Sequence, residues 1–203
     1  MEKYGLAIDS STGQLGLGLL DPGGSIKVQT WDLDRSMSSH LHQCLKEFLQ
    51  GINWQQLAFI AVVKGPGSFT SIRIGMVTAR ILAQQLSIPL LSLSSLASLA
   101  QTQAKSTQHE LIATQLTATR DKYYVAIYEK SPTNKIVSPF LADMIVEMQQ
   151  WKNILNQIEK PYYLVEGGLQ QGYAVEGLLQ LANNLYLENN FTQWSQALPL
   201  YLG

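Results

Sequence analysis

The sequence predicts an α/β protein with mixed sheets arranged in two related lobes. Three observations support this class. Short apolar runs of strand length alternate with longer segments of helical periodicity, and the chain opens with three strand-like runs separated by tight turns. A polar stretch near residues 103–109 then divides the chain into two halves with a similar order of elements. A chain of 203 residues is long enough for two small lobes.

Three short runs at the start of the chain predict an antiparallel meander. They read YGLAID, LGLGLLD and SIKVQTWDL, and the segments SSTGQ and DPGG separate them. Runs bounded by Gly, Pro, Ser and Asp at this spacing are typical of strands joined by turns. We therefore expect residues 4–33 to be β.

The remainder of the first half predicts helices that alternate with strands. Residues 35–52 carry apolar side chains at offsets of three, four and seven, which indicates an amphipathic helix with Gly51 near its end. LAFIAVV is a continuous apolar run, as expected for a strand buried on both faces. A longer helix follows and stops before Pro89, and PLLSLSSLASLAQTQAK then predicts a short strand and a third helix.

The second half repeats this order. ELIATQLTA, KYYVAIYEK and KIVSPFLA predict three strands, followed by a helix over 143–157, the strand PYYLVEGG and a helix over 169–182. We therefore assign residues 1–104 to an N-terminal lobe, with helices over 36–50 and 68–86. Residues 105–203 are assigned to a C-terminal lobe.

Composition excludes several classes of function. Fourteen Lys and Arg against fifteen Asp and Glu give a net charge of −1, which offers no overall attraction to nucleic acid or to an anionic membrane. The charged fraction of 14% is low, as in chains that cover part of their surface with another subunit. One cysteine, Cys44, permits neither an internal disulfide nor a cysteine zinc cage. With no apolar run long enough for a membrane span, we expect a cytoplasmic protein.

The segment AVVKGPGSFTSIRIG, residues 61–75, resembles a phosphate loop but lacks the residues that such loops need. A Walker loop requires Lys after its last Gly, whereas Gly67 is followed by Ser68. Thr70 stands where a dinucleotide loop has its third Gly. A nucleophile elbow around Ser68 would need Gly at the positions of Pro66 and Thr70.

The same segment is better explained as a tight strand-to-helix turn. Gly65 and Gly67 allow unusual backbone conformations, Pro66 stiffens the bend, and Ser68 is placed to cap the helix that begins near Phe69. An anion at the amide end of that helix is a second possible role.

The helix after this turn is apolar on more than one side. Its main stripe contains Ile72, Met76, Ala79, Ala83 and Leu86, whereas Ile74 and Ile81 lie outside it and Val77 lies between Arg73 and Arg80. Such a helix is expected to pack on its own sheet and on a partner. Gly75 in its interior costs about 1 kcal/mol relative to Ala, which is tolerable where another group must approach the backbone closely.

The preceding helix has a stripe that could extend the same surface, so two helices of this lobe could pair with two of another chain. The candidate interface residues are Met37, Leu41, Leu45, Arg73, Met76, Val77 and Arg80. The alternative, equally compatible with the sequence, is that both stripes only cover their own sheet.

Four segments together resemble the bacterial TsaB (YeaZ) family: LAIDSST, AVVKGPGSFTSIRIGMVTARILA, IPLLSLSSLASLA and TRDKYYVAIY. The family hallmark G-P-G-S-F-T-G-x-R-x-G is matched except for Ser71 in place of Gly. The resemblance implies an actin-like ATPase fold in two lobes. It also implies a non-catalytic subunit of the machinery that attaches a threonylcarbamoyl group to the adenosine beside the tRNA anticodon.

The partners implied by the resemblance are a TsaD-like catalytic subunit, a TsaE-like ATPase and a second copy of this chain, with tRNA contacted indirectly. TsaD-like chains carry H-x-x-x-H, a spacing that places two metal ligands on one helical face. Ser95 and Leu99 stand at those positions, and neither can ligate a metal as an imidazole does. His40 and His42 point about 200° apart on a helix and cannot share a metal. We therefore expect no metal site, no catalytic residues and an inactive paralogue.

A nucleotide site is the remaining possibility. Asp9, Ser10, Ser11 and Thr12 follow a strand, as in the first phosphate hairpin of actin-like ATPases. The matching hairpin of the second half has no Gly, and Thr117 and Thr119 stand where family members often show Asp and Arg. EGG at 166–168 is either a remnant of an adenosine loop or a turn. We expect weak or interfacial ATP or ADP binding at most. The alternative function is a self-sufficient ATP-dependent phosphotransferase that relies on Asp9.

Overall fold

The computed structural model describes residues 3–168, 172–191 and 193–202 and contains two sheets. The first has β1 (Tyr4–Asp9), β2 (Gln14–Leu20), β3 (Ile26–Asp32), β4 (Leu57–Gly65) and β5 (Leu90–Ser94), in the order β3-β2-β1-β4-β5. The second has β6 (Leu111–Thr117), β7 (Lys122–Lys130), β8 (Val137–Glu147) and β9 (Tyr162–Glu166), in the order β8-β7-β6-β9. The helices are α1 (Met37–Phe48), α2 (Phe69–Leu86), α3 (Ser95–Gln103), α4 (Met148–Asn156) and α5 (Val175–Leu187).

Both sheets are built on one plan. In each, three strands form an antiparallel meander, and the next strand of the chain pairs in parallel with the first strand of that meander. The first sheet adds β5 in parallel with β4. The prediction of two related lobes with mixed sheets is therefore confirmed, and β4 is buried along nearly its whole length, as its unbroken apolar sequence predicts.

Helices α3 and α5 each pack on the sheet of the other lobe: α3 on the second sheet and α5 on the first. Leu96 and Leu99 of α3 pack in a core with Ile112 of the second sheet. Val175 and Leu178 of α5 lie in a core with strands of the first sheet. The assignment of 105–203 to one lobe therefore needs correction, because a boundary at residue 104 separates the sheets but not the helices that cover them.

The tail after α5 also returns to the first lobe. Ala197 is buried in the core beneath α1 and α2, and the Leu200 amide donates a hydrogen bond to the Lys64 carbonyl at 2.7 Å. This packing brings residues 194–201 beside the start of α2.

Two predicted helices have different bounds in the structure: α4 begins at Met148 and not at residue 143, and α5 spans Val175–Leu187 and not 169–182. Residues 143–147 are predicted helical, but they continue β8, where Met144 pairs with Val125 and Glu147 with Lys122 of β7. The helix predicted over 169–182 is observed as α5, and residues 169–171 lie outside the described part of the chain. Within the described ranges, the helices are too short or too polar to cross a membrane.

Candidate docking surface and interlobe cleft

The glycine-rich turn between β4 and α2 is held against the loop after β1. Gly65 and Gly67 have positive φ values of 112° and 152°, a conformation that favours glycine. A Cβ on Gly67 would lie 2.2 Å from the Ser11 carbonyl oxygen, and the Ser68 amide donates to that same oxygen at 2.7 Å. The φ values confirm the predicted need for glycine at both positions, and at Gly67 the contact with the loop after β1 is a second cause.

Ser68 occupies the predicted cap position, but its side chain does not cap the helix. Its hydroxyl donates to the Ser71 hydroxyl at 3.0 Å and makes no hydrogen bond to the first amides of α2. The part of the prediction that gave Ser68 a capping side chain is therefore wrong. Ser71, where the family hallmark has Gly, is buried, and its hydroxyl accepts this hydrogen bond from Ser68.

Gly75, within α2, has a close neighbour, as the energetic cost of a glycine inside a helix led us to expect. A Cβ on Gly75 would lie 2.2 Å from the Ser10 hydroxyl, which donates to the Ser71 carbonyl at 2.9 Å. Ser10 is fully buried, so this contact fixes the first turns of α2 onto the end of β1.

A cavity of about 1080 Å³ separates the two lobes. From the first lobe it is lined by the hairpin after β1, by residues 33–38, by the glycine-rich turn and by the start of α2. From the second lobe it is lined by the turn after β6 and by the end of β9. These residues include Ser11, Thr12, Gly13, Gly67, Ser68, Thr70, Thr117, Ala118, Gly167 and Gly168. Of the predicted nucleotide residues, Ser11 and Thr12 are among those that line this cleft, whereas Asp9 and Ser10 are buried and are not.

Asp9 has an unusual environment for a carboxylate. One oxygen, Oδ1, accepts hydrogen bonds from the Ser11 amide at 2.9 Å and from the Ser11 hydroxyl at 2.7 Å. Within the described residues, Oδ2 has no hydrogen-bond partner. Burial raises the pKa of Asp9 to about 6, because it disfavours the charged form more than the two Ser11 bonds favour it.

The two sides of the cleft offer different polar groups to a nucleotide. From the hairpin after β1, the first lobe presents Ser11 and Thr12. From the second-lobe turn, Thr117 and Ala118 line the cleft, whereas Asp121 of the same turn is not among the lining residues. Among the described residues that line the cleft, Arg35 is the one cation, so a triphosphate would find little compensating charge. These residues do not fit a hydrolytic ATP site.

Ser95 and Leu99, which the resemblance sets at the positions of the metal-binding histidines, are both buried in the structure. The Ser95 hydroxyl is buried and donates to the Pro66 carbonyl, and Leu99 is fully buried in the core of the second sheet. His40, His42 and His109 are exposed. In the part of the chain that the structure describes, no three His, Cys, Asp or Glu side chains cluster as metal ligands.

Four of the seven candidate interface residues are not on the surface. Met37, Leu41, Leu45 and Met76 are between 0% and 2% exposed, in the core that α1 and α2 form with the first sheet. Their apolar spacing reflects packing on their own sheet, so the proposal that these side chains contact a partner is wrong. The outward side of α1 is polar, with exposed His40, Gln43, Lys46 and Glu47.

The outward side of α2 is apolar. Phe69, Val77 and Ile81 are 51%, 54% and 54% exposed, and with Arg73 they lie four residues apart along the helix. Residues at this spacing share one face. We call these four residues the α2 face; the remaining candidate, Arg80, is half-buried beside it.

Arg73 is held in place by the C-terminal tail. Its guanidinium lies 4.3 Å from the centre of the Phe69 ring, and its Nε donates to the Tyr201 hydroxyl at 3.0 Å. The Phe69 and Tyr201 rings are 4.9 Å apart. Sequence reasoning missed Tyr201, because nothing in the local pattern of the last residues indicates contact with a helix 128 positions earlier.

Comparisons with known proteins agree on one family. Residues 32–191 match the family model TsaD, described as tRNA N6-adenosine threonylcarbamoyltransferase. The chain is 31% identical over 160 residues to the tRNA threonylcarbamoyladenosine biosynthesis protein TsaB of Bacillus subtilis, covering 77% of this chain and 67% of that protein. It is 27% identical over 198 residues to TsaB of Haemophilus influenzae, covering 96% and 80%.

Solved structures match the whole fold. A Pseudomonas aeruginosa protein described as similar to peptidase YEAZ superimposes with a TM-score of 0.83 at 23% identity, over 99% of this chain and all of that one. YeaZ from the same organism gives 0.81 at 23% identity, over 98% and 100%.

Two modules with the strand order 3-2-1-4, set on either side of a cleft, define a protein of the actin-like ATPase fold class. Within that class, the chain belongs to the TsaB (YeaZ) family of tRNA threonylcarbamoyladenosine biosynthesis proteins.

Proposed function

We propose that this protein acts in tRNA threonylcarbamoyladenosine biosynthesis as a non-catalytic subunit that binds and supports a TsaD-type catalytic subunit. Its TsaB-named relatives support the role in this pathway. The observation that carries the binding role is the α2 face, where three large apolar side chains are half exposed along one side of a helix whose other side is already buried.

The chemistry of the α2 face suits a protein interface. Contiguous exposed apolar groups on a monomer are typical of sites that another chain covers. Arg and aromatic residues contribute most to binding at such sites, and Arg73 is already ordered against Phe69 and Tyr201. A preordered side chain loses little conformational entropy when a partner binds.

A TsaD-type partner is the occupant that the family match favours. The matched region, residues 32–191, includes both α1 and α2, so a TsaD-type chain has the counterpart of this helix pair. Two copies of one module can pair through equivalent helices about an approximate two-fold axis. The same geometry permits a homodimer through the α2 face, which would compete with the TsaD-type chain for it.

The catalytic step belongs to the partner in this proposal. The TsaB-named relatives do not favour the alternative of a self-sufficient phosphotransferase, and in this proposal Ser95 and Leu99 stand at the positions of the metal-binding pair. We expect the chain to meet tRNA mainly through its partner, with a TsaE-type ATPase as a third component. We expect the assembly in the cytoplasm, where tRNA is modified.

Co-purification with the cognate TsaD-type protein tests the interface. The double variant Val77→Glu, Ile81→Glu places two charges on the α2 face without touching the core, and we expect at least a roughly 10-fold loss of affinity because buried unpaired charges are costly. Leu187→Glu is the matched control, since Leu187 is 70% exposed at the end of α5. Equal binding by wild type and both variants would reject the interface.

Reconstitution tests the supporting role separately. Threonylcarbamoylation of tRNA by the TsaD-type protein is measured with wild-type chain, with the double variant and with neither. Of these three reactions, we expect only the one that contains the wild-type chain to modify tRNA. Full activity of the TsaD-type protein without this chain would contradict the proposed function, even if the two proteins bind.

A further inference from the structure

A second cavity, of about 540 Å³, lies in the second lobe. It is bounded by the residues after α3, the start of β6 and the end of β7. Glu110, directly before β6, lines this cavity, whereas Thr117 at the other end of β6 lines the interlobe cleft. The two cavities are therefore at opposite ends of the second sheet. This second cavity shares no lining residue with the interlobe cleft or with the α2 face.

Three lysines line the cavity: Lys105, Lys130 and Lys135. We call it the lysine pocket. Its two glutamates, Glu110 and Glu129, are both paired with Lys160, at 3.4 Å and 3.2 Å. Within the described ranges, no carboxylate lies within 4.0 Å of the three lysine ammonium groups. In a chain with 14 basic residues and a net charge of −1, the pocket has a local excess of positive charge.

Lys130 is the least expected member of this group. Its side chain is buried, with 8% exposure, and its ammonium donates to the Thr107 carbonyl oxygen at 2.6 Å. A lysine ammonium carries three N–H donors, and this bond occupies one of them. Burial lowers the pKa of Lys130, and the positive charge of Lys135 lowers it further. A bound anion would favour the charged form and supply acceptors for the other donors.

We propose that the lysine pocket binds a phosphate group. Lysines bind phosphate as point charges, and Thr107, Ser131 and Ser138 place hydroxyl groups among them. A cavity of this size admits a phosphate together with part of the molecule that carries it. An RNA backbone and a small phosphoester both present this chemistry. The RNA source, but not the pocket itself, rests on the proposed function in tRNA modification.

Titration of the purified full chain with a tRNA and, separately, with inorganic phosphate tests the pocket. The variant Lys105→Ala, Lys135→Ala removes the two exposed lysines and leaves the buried one. The control Lys122→Ala, Lys152→Ala removes the same charge from exposed positions elsewhere in the second lobe. We expect the pocket variant, but not the control, to lose about 10-fold in affinity for tRNA and to reduce the salt slope by about one to two.

The two titrations distinguish the source of the phosphate. Inorganic phosphate binding is read from the Lys130 and Ser131 amide resonances. If the pocket variant loses phosphate binding but binds tRNA as the wild type does, the pocket is assigned to a small phosphoester. Equal binding by wild type, pocket variant and control in both titrations would overturn the proposal. The pocket variant should still co-purify with the TsaD-type protein, so failure of the pocket and failure of the α2 interface give different results.

Discussion

Asp9 is the residue whose sequence-based interpretation changes most in the structure. The sequence places it in a phosphate hairpin, where its charge would order a metal ion. The structure places it at the end of β1 with 1% exposure and a pKa raised to about 6. Without a ligand to compensate its charge, ionised Asp9 lowers the stability of the fold.

The substitution Asp9→Asn tests this cost. An acid with a pKa of 3.8 unfolded and about 6 folded binds more protons in the folded state, so its contribution to stability falls as pH rises between these values. The loss amounts to about 3 kcal/mol by pH 7. Urea unfolding at several pH values should show Asp9→Asn more stable than wild type at pH 7.5, and the difference should shrink towards pH 4.

The exposed Asp121→Asn is the control for this series. This variant removes an exposed carboxylate and leaves the buried Asp9 unchanged. Its free energy of unfolding should therefore differ from that of the wild type by a similar amount at each pH. If Asp9→Asn were less stable than wild type at pH 7.5, the ionised carboxylate would have a stabilising role that burial and the two Ser11 bonds do not account for.

At the scale of elements, Ser94 connects a strand of one sheet to a helix and a strand of the other lobe. Its hydroxyl oxygen accepts from the Leu96 and Ala97 amides at 3.1 and 3.3 Å, which caps α3. The same hydroxyl donates to Asp143 of β8, whose other oxygen accepts from the Tyr128 hydroxyl at 2.6 Å.

We expect Ser94→Ala to lower the free energy of unfolding by about 2 kcal/mol, because it removes a helix cap and leaves Asp143 with one donor fewer. Ser92→Ala, two residues earlier on β5 and similarly half-buried, is the matched control and should cost under about 1 kcal/mol. Chemical denaturation of both variants measures the difference. Similar losses would mean that the Ser94 hydrogen bonds contribute no net stability.

The same elements show how far sequence reasoning reaches. Local patterns predict the order of strands and helices, because apolar spacing and turn residues are local properties. They place the end of β8 wrongly, because residues 143–147 are β through pairing with β7, a tertiary interaction. They identify α2 as two-faced, but not which side chains face outward: Val77 is exposed and Met76, one residue before it, is buried.

At the scale of the whole molecule, the lobes are joined by helices that each cover a sheet. α3 follows the first sheet in sequence and packs on the second, and α5 follows the second and packs on the first. The two helices cross in contact at Gly177, where the Gly177 amide donates to the Thr102 hydroxyl at 3.2 Å. The lobes should therefore unfold together.

Gly177→Ala tests this coupling. A Cβ at this position would lie 2.1 Å from the Ser98 carbonyl oxygen and 2.6 Å from the Thr102 hydroxyl oxygen, so the two helices must move apart. Alanine favours an isolated helix by about 1 kcal/mol, yet we expect a net loss of about 1 to 3 kcal/mol from overpacking. Because each helix covers a different sheet, amide hydrogen exchange should accelerate in both β4 and β6.

Gly168→Ala is the control, since among the residues that the structure describes a Cβ there meets no heavy atom within 4 Å. This variant also replaces a glycine of the second lobe by alanine. The free energy of opening that amide exchange reports should stay within about 0.5 kcal/mol of wild type in both sheets. Faster exchange in β6 alone for Gly177→Ala would show that the lobes open independently. Faster exchange in both strands, with one unfolding transition, would show that the α3–α5 contact makes the two lobes one cooperative unit, because local opening is measured separately in each sheet.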